Sequence, residues 1–245
     1  MNYLVMRLYG SFASWGDIAI GESRHSHSGP TKSALMGLLA SAFGITREDE
    51  QAHQAFNVGY RLATAVQAGH LLRDYHTVQV PDNVGKVNYR TRRDEIVRGR
   101  DRLGTVLSSR EYRTDAYVEV AIAATEAAPY SLEACRQALL KPIFVPYLGR
   151  KSCVLGAPME PQLIDAKNFQ QAFDQYQPMV SLDERRLIQT QKQFYWEGKR
   201  EDFANEEHLN GGLVMTLVMH DQLRSRKRWQ FSSRSVFYFC PTESR

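Results

Sequence analysis

The first ten residues constrain this chain more than any other stretch. Residues 3 to 9 are apolar and β-prone, broken only by Arg7 and stopped by Gly10, so they read as a buried strand and put a sheet in the core from the outset. After a polar loop at 20 to 29, a helix is expected with Pro30 in its first turn, where a missing N–H costs nothing, and Gly44 past its end. Leu35, Met36, Leu38, Leu39, Ala42 and Phe43 recur at helical spacing, which packs this helix on the sheet.

Thr46 is the expected N-cap of a second helix through Phe56, with Glu48 and Asp49 in its first turn. Residues 58–67 and 70–80 then read as two strands joined at Ala68-Gly69 into a β-hairpin. The pattern lapses from Pro81 to Tyr112, where alternation through Ala123 marks another strand. Ser131 to Leu140 reads as a helix ended before Pro142, and residues 143–145 begin an extended stretch. With the short second helix set aside, this order is that of an α+β chain with a split β-α-β, ferredoxin-like arrangement and an inserted β-ribbon. Beyond residue 160 the sequence predicts a helix at 166–176, a polar stretch at 181–210 and strands at 212–219 and 229–240. The expected division is a domain at 1–160 and a small β-rich C-terminal lobe at 161–245.

Composition narrows the class. At 245 residues, 43% hydrophobic and 24% charged, the chain is neither disordered nor fibrous. Cys135, Cys153 and Cys240 are too few and too scattered for a disulfide framework or a zinc site, which points to a reducing cytoplasm. Arg7 within the first apolar run and the absence of a cleavage site argue against a secretory signal, and no run nears the roughly 20 apolar residues of a membrane span.

The net charge of +4 names no partner, but its distribution does more. Residues 86–113 carry Lys86 and eight arginines, nine cations against Asp94, Glu95, Asp101 and Glu111, a net of +5. Arginine favours bidentate phosphate contacts and stacking on bases, which a merely solubilising loop does not need. A second cluster, Arg224, Arg226, Lys227, Arg228 and Arg234, has no acid within it and interleaves with Trp229 and Phe231, a nucleic-acid pattern. Residues 160–184 hold five acids against Lys167, a pole turned away from a polyanion. Solvated faces with ordinary ion pairs are the alternative.

Motifs for chemistry are sparse. His25-Ser26-His27 lacks the further ligands of a metal site, so no metal or other cofactor is expected. Those histidines, or His76 beside Tyr75, are candidates for general acid and base in metal-free RNA cleavage. Gly149-Arg150-Lys151-Ser152 is not a Walker motif, since residue 145 is Val; it reads as a tight turn presenting two cations and a hydroxyl to a backbone phosphate, or as a plain hairpin turn. The stretch 28–33 at a helix N-terminus is a candidate anion site or a simple cap. Of the three tryptophans, Trp15, between Ser14 and Gly16, is the one expected to be exposed.

Several strings are long enough to be specific: Leu4 through Trp15-Gly16, Pro30-Thr31-Lys32-Ser33 with the helix to Gly44-Ile45, Leu72-Arg73-Asp74-Tyr75-His76-Thr77-Val78, Ser109-Arg110-Glu111-Tyr112, and Leu140-Lys141-Pro142 through Pro146-Tyr147-Leu148-Gly149-Arg150-Lys151-Ser152-Cys153. With them the chain resembles the CasD family, the Cas-five subunit of the CRISPR surveillance complex Cascade, in its type I-E branch.

The resemblance implies an RRM-like, ferredoxin-like domain of the RAMP superfamily, whose β-hairpin thumb, here the Arg-rich insertion at 81–111, reaches toward the guide RNA. It implies a non-catalytic subunit that caps the 5′ handle of the crRNA, contacts the backbone subunit CasC and the large subunit CasA, and meets target DNA indirectly. Arg24, His25, Lys32, Arg73, His76, Arg110, Gly149, Arg150, Lys151 and Ser152 are then the expected RNA contacts, with Arg90, Arg92, Arg93, Arg98 and Arg100 as thumb contacts. A metal-independent endoribonuclease that processes precursor crRNA is the alternative activity, as in the type I-C branch. A free-standing nucleic-acid binder is the third reading.

Overall fold

The structure is a computed structural model and describes residues 1–19, 21–82, 88–179 and 191–242. Strands β1 (Asn2–Tyr9), β4 (Tyr60–Gln67), β7 (Tyr117–Ala124), β8 (Gln162–Asp165), β9 (Gln193–Trp196), β10 (Gly212–Ser225) and β11 (Gln230–Pro241) make one sheet in the order β10-β11-β9-β4-β7-β1-β8. Every pairing in it is antiparallel. A second sheet joins β2 (Phe12–Ala13), β3 (Ser23–Arg24), β5 (His70–Pro81) and β6 (Leu103–Thr114).

The opening apolar run is buried because both faces of the large sheet are covered. Leu4, Met6 and Leu8 of β1 enter one core with Leu35, Met36, Leu38 and Leu39 of α1 (Lys32–Ala42), Phe56 of α2 (Glu50–Gly59) and Leu132, Cys135 and Leu139 of α4 (Leu132–Leu140). Tyr3 and Val5 enter the other, with Phe169 and Phe173 of α5 (Phe169–Gln175) and with Phe194, Trp196, Phe203, Leu209 and Phe239. The residues that β4 and β7 add to this second core are alanines (Ala63, Ala65, Ala121, Ala123), which leaves depth for the aromatic layer above them. Arg7 interrupts the run without leaving the core. Its side chain is buried, with Nε donating to the Pro158 carbonyl at 2.9 Å and Nη2 to Glu160 at 2.8 Å.

Several expectations are corrected. Pro30 precedes the first helix rather than entering it, and Thr31 is the N-cap, accepting from the Ala34 N–H. Asp49, not Thr46, caps α2, which runs on to Gly59. The strands at 60–67 and 70–81 do not pair with each other: β4 lies in the large sheet, and β5 pairs along its length with β6. Gly69, at φ +62°, is where the chain changes sheets; a Cβ there would sit 2.0 Å from the Thr114 carbonyl oxygen. The hairpin's arms are therefore 70–81 and 103–114. The segment expected to be the hairpin, 81–111, holds its tip and most of one arm, and the tip carries a helix, α3 (Arg92–Arg98), closed by a Thr91–Asp94 capping box.

The predicted polar stretch 181–210 conceals β9, which bridges β4 and β11. Strands from the C-terminal segment thus extend the same sheet as the first strand, and β8 pairs with β1. In the acidic stretch, Glu160 holds Arg7 and Asp165 holds the terminal amine, while Asp183, Glu184 and the basic Lys86 lie outside the described residues. No described helix is long and apolar enough to cross a membrane.

Candidate nucleic-acid interface

The register of the β5–β6 hairpin sorts the predicted contacts onto two faces, because residues directly opposite one another share a face. Arg73 faces Glu111, and Asp74 faces Arg110. Strand β3 runs parallel along β6 with Arg24 beside Arg110. One face therefore presents Arg24, Asp74, His76 and Arg110; the other presents Arg73 with Glu111, and His25 follows Arg24 onto it.

Glu111 organises that second face. Its carboxylate is buried and accepts from Arg73 Nη2 at 2.8 Å and from the Ser26 N–H at 3.2 Å, with His25 Nδ1 at 3.2 Å. The Arg73 hydrogen bond, helped by Ser26 and His25 and opposed by burial, holds the Glu111 carboxyl below its ordinary value. In the sequence of residues 86–113, Glu111 is only one of four acids among nine cations. Its position directly across from Arg73 becomes visible once β5 and β6 are paired.

On the first face the turn at 149–152 closes in. The Arg150 guanidinium lies 4.8 Å from the Tyr112 ring centroid, and Tyr112 meets Phe12 edge-on at 6.0 Å. Arg150 Nη1 is buried with no hydrogen-bond partner among the described residues, a costly state that an incoming acceptor relieves. Lys151 and Ser152 are exposed at the turn's crest. Ser152 shares a cleft with Leu72, Arg73, Asp74, Tyr75 and Tyr112. Gly149, at φ +85°, brings the turn against the Ser14 carbonyl, where a Cβ would stand 1.9 Å away; its service is close packing that aims its neighbours outward. Arg24, Arg110, Arg150 and Lys151 have no carboxylate partner among the described residues.

Lys32 does not belong with them. It is only 6% exposed, and its ammonium lies 3.0 Å from Glu197 and donates to the Tyr60 carbonyl at 3.2 Å. The helix N-terminus beside it is filled by a carboxylate of the chain itself: Asp221 accepts the Lys32 N–H at 2.6 Å, so the 28–33 stretch is a cap. Arg234 completes this buried network, donating to Asp221 at 2.6 and 2.9 Å and to Glu197 at 2.7 Å.

The thumb arginines Arg90, Arg92, Arg93, Arg98 and Arg100 are all exposed around a tip helix that buries none of its residues. Among the described residues, Arg92 alone of these is paired, with Glu95 and the Gln79 carbonyl. Trp15 is a further correction. It is 2% exposed, whereas Trp229 is 57% exposed.

With this geometry established, the comparisons decide the family. The family model described as "CRISPR-associated protein (Cas_Cas5)" matches residues 3–237. The chain belongs to that family. Among curated relatives, the CRISPR system Cascade subunit CasD of Escherichia coli (strain K12) is 34% identical over 180 residues, 73% of this chain and 78% of the relative. Two solved structures share the fold. One, titled "CRISPR RNA-guided surveillance complex", has a TM-score of 0.58 at 20% identity over 98% of this chain and 90% of its own. The other, "Crystal structure of Cas protein", has 0.57 at 22% over 98% and 95%. For this Cas5-family chain the match runs through β9, β10 and most of β11 and so takes in the strands that complete the large sheet.

Proposed function

We propose that this chain is the crRNA-binding subunit of a type I Cascade complex, holding the 5′ handle on the β5–β6 hairpin and the 149–152 turn without cleaving it. The observation that carries the reading is the set Arg24, Arg110, Arg150 and Lys151, without carboxylate partners among the described residues and drawn from β3, β6 and the 149–152 turn, with Arg150 over Tyr112. Guanidinium and ammonium groups left without carboxylates beside exposed aromatics suit phosphates and splayed bases. Lys32 is left out of the contact set because its charge is spent on Glu197.

The strands β8-β1-β7-β4, all antiparallel, with α1 and α4 on one face, support a ferredoxin-like core of the RAMP type. RRM-like domains bind RNA on the open face of that sheet. Here α5 and the aromatic layer bury it, which directs the RNA to the hairpin. Residues 1–160 carry the interface in this reading and 161–245 the covering layer. The exposed run Ile143, Phe144 and Val145 offers an apolar surface to neighbouring subunits, CasC and CasA in this assignment, with target DNA contacted through the assembled complex.

Cleavage would need an acid and a base on one scissile phosphate. His25 is held by Glu111, His27 pairs with Asp17 at 3.3 Å, and His76 lies on the hairpin face opposite His25. The test is incubation of the purified chain with end-labelled repeat RNA in EDTA: retention of intact RNA is expected. Site-specific cleavage that is lost on His25→Ala would overturn the non-catalytic assignment.

A further inference from the structure

The second basic cluster builds a site that the hairpin interface does not use. The turn between β10 and β11 is anchored by α2, whose Glu50 carboxylate accepts the N–H groups of Arg226 at 3.2 Å and Lys227 at 3.0 Å. This fixes Arg226 with its guanidinium 4.4 Å from the Trp229 ring centroid, while Arg47, from the loop before α2, approaches the same ring at 5.3 Å. Neither guanidinium has a carboxylate partner among the described residues, and Arg226 Nε is buried without an acceptor. Burial first, then the charge of Arg47, depresses the Arg226 pKa, so the two cations are held together against their own repulsion.

These side chains line a cleft of about 280 Å³ together with Gly37 of α1, Ser33, Ser41, Tyr147 and Gly149. Gly37 leaves room there, since a Cβ would find nothing closer than Arg226 Nη2 at 3.9 Å. The volume falls just below the roughly 300–1,000 Å³ of sites for drug-sized ligands and suits a phosphate with part of its nucleotide. Two guanidiniums on one indole match phosphate oxygens, and the indole they share responds to whatever they bind. Tyr147 and Gly149 belong to the segment that presents Arg150 and Lys151, so the cleft and the hairpin interface meet the same turn from two sides of the sequence.

We propose that the Arg47–Arg226–Trp229 cleft is a second phosphate site for the same RNA strand, which passes over the 149–152 turn and seats a nucleotide there. This rests on the RNA-binding reading above.

The test titrates the full chain with single-stranded repeat RNA and, separately, with inorganic phosphate, following tryptophan fluorescence and affinity. Trp15 and Trp196 are buried, so the responsive signal is that of Trp229 and should vanish in Trp229→Phe. Arg47→Gln with Arg226→Gln should weaken RNA binding about tenfold and flatten the salt dependence by about 0.7 for the phosphate lost. Arg47→Gln alone, at an exposed position, should move both in the same direction if the double variant misfolds. Unchanged affinity in these variants, with Arg150→Gln and Lys151→Gln still damaging, overturns the cleft and leaves the hairpin reading standing. A Trp229 response to inorganic phosphate but none to bound RNA overturns it as well. Failure of the unmodified chain to bind RNA removes both.

Discussion

Lys32 and Arg234 end on Glu197 and Asp221 inside the molecule; Arg24, Arg110 and Lys151 end in solvent on the hairpin and the turn beside it. The two groups draw on the same side-chain chemistry and were equally plausible as phosphate ligands in sequence. What separates them is the whereabouts of acids. The first group fastens the N-terminus of α1 to β9, β10 and β11, and its charges balance as two cations against two carboxylates. The second group has no such partners among the described residues, so its potential is directed outward. Burial with pairing makes a clamp, whereas exposure without pairing makes a binding surface.

The comparison can be broken most forcefully from the inside. Asp221→Ala leaves Arg234 and the Lys32 N–H facing a gap, and should cost about 3–5 kcal/mol in urea unfolding while the folded fraction keeps its RNA affinity. A large loss of affinity with little loss of stability would move Asp221 to the interface. Arg150→Glu with Lys151→Glu should do the reverse: RNA affinity falls about 100-fold, some 2.8 kcal/mol by the tenfold-per-1.4 relation, with native circular dichroism. Unchanged affinity would remove the turn from the site.

Glu111→Gln tests the face on which the two behaviours meet. Arg73 is largely exposed, so screening keeps the destabilisation to about 1 kcal/mol at neutral pH. The Glu111 carboxyl is held below its ordinary 4.5, so its stabilisation is complete above that value and is lost as pH falls through the lowered one. The gap in urea midpoint between parent and variant should therefore narrow as pH falls below 4.5; a gap that persists in acid would contradict the pairing. The smallest effect belongs to the tip. Thr91→Ala removes a capping box worth about 1 kcal/mol to α3 and should speed amide exchange at 92–98 without shifting global unfolding.

The legible parts of the fold were those whose cause is local. β1 was readable because it is apolar at both alternations, and α1 because its leucines recur at helical spacing. The 60–81 region misled because Ala68-Gly69 has the look of a hairpin turn. The difference lay in the flanks: the middle of β4, Leu62 to Val66, is apolar but for Thr64, whereas β5 is studded with Arg73, Asp74 and His76, and strands so unlike belong to different sheets. β9 was lost because Gln193–Trp196 is four residues long in polar surroundings. The site was legible as a set of cations but not as a set of free cations. The acids that claim Lys32 lie 165 and 189 residues away along the chain, and no local pattern carries that information. Trp15 and Trp229 exchanged roles for the same reason, since exposure is settled by packing from distant segments.

The most direct measurement is the salt dependence of repeat-RNA binding by the unmodified chain and by a variant with Arg24, Arg110, Arg150 and Lys151 all changed to Gln. If these four cations hold backbone phosphates, the slope of log affinity against log salt should flatten by about 2.8, four contacts at roughly 0.7 each, while unfolding is unaltered. An unchanged slope would mean that the exposed cations of the hairpin and turn do not hold the RNA, and the account would fail.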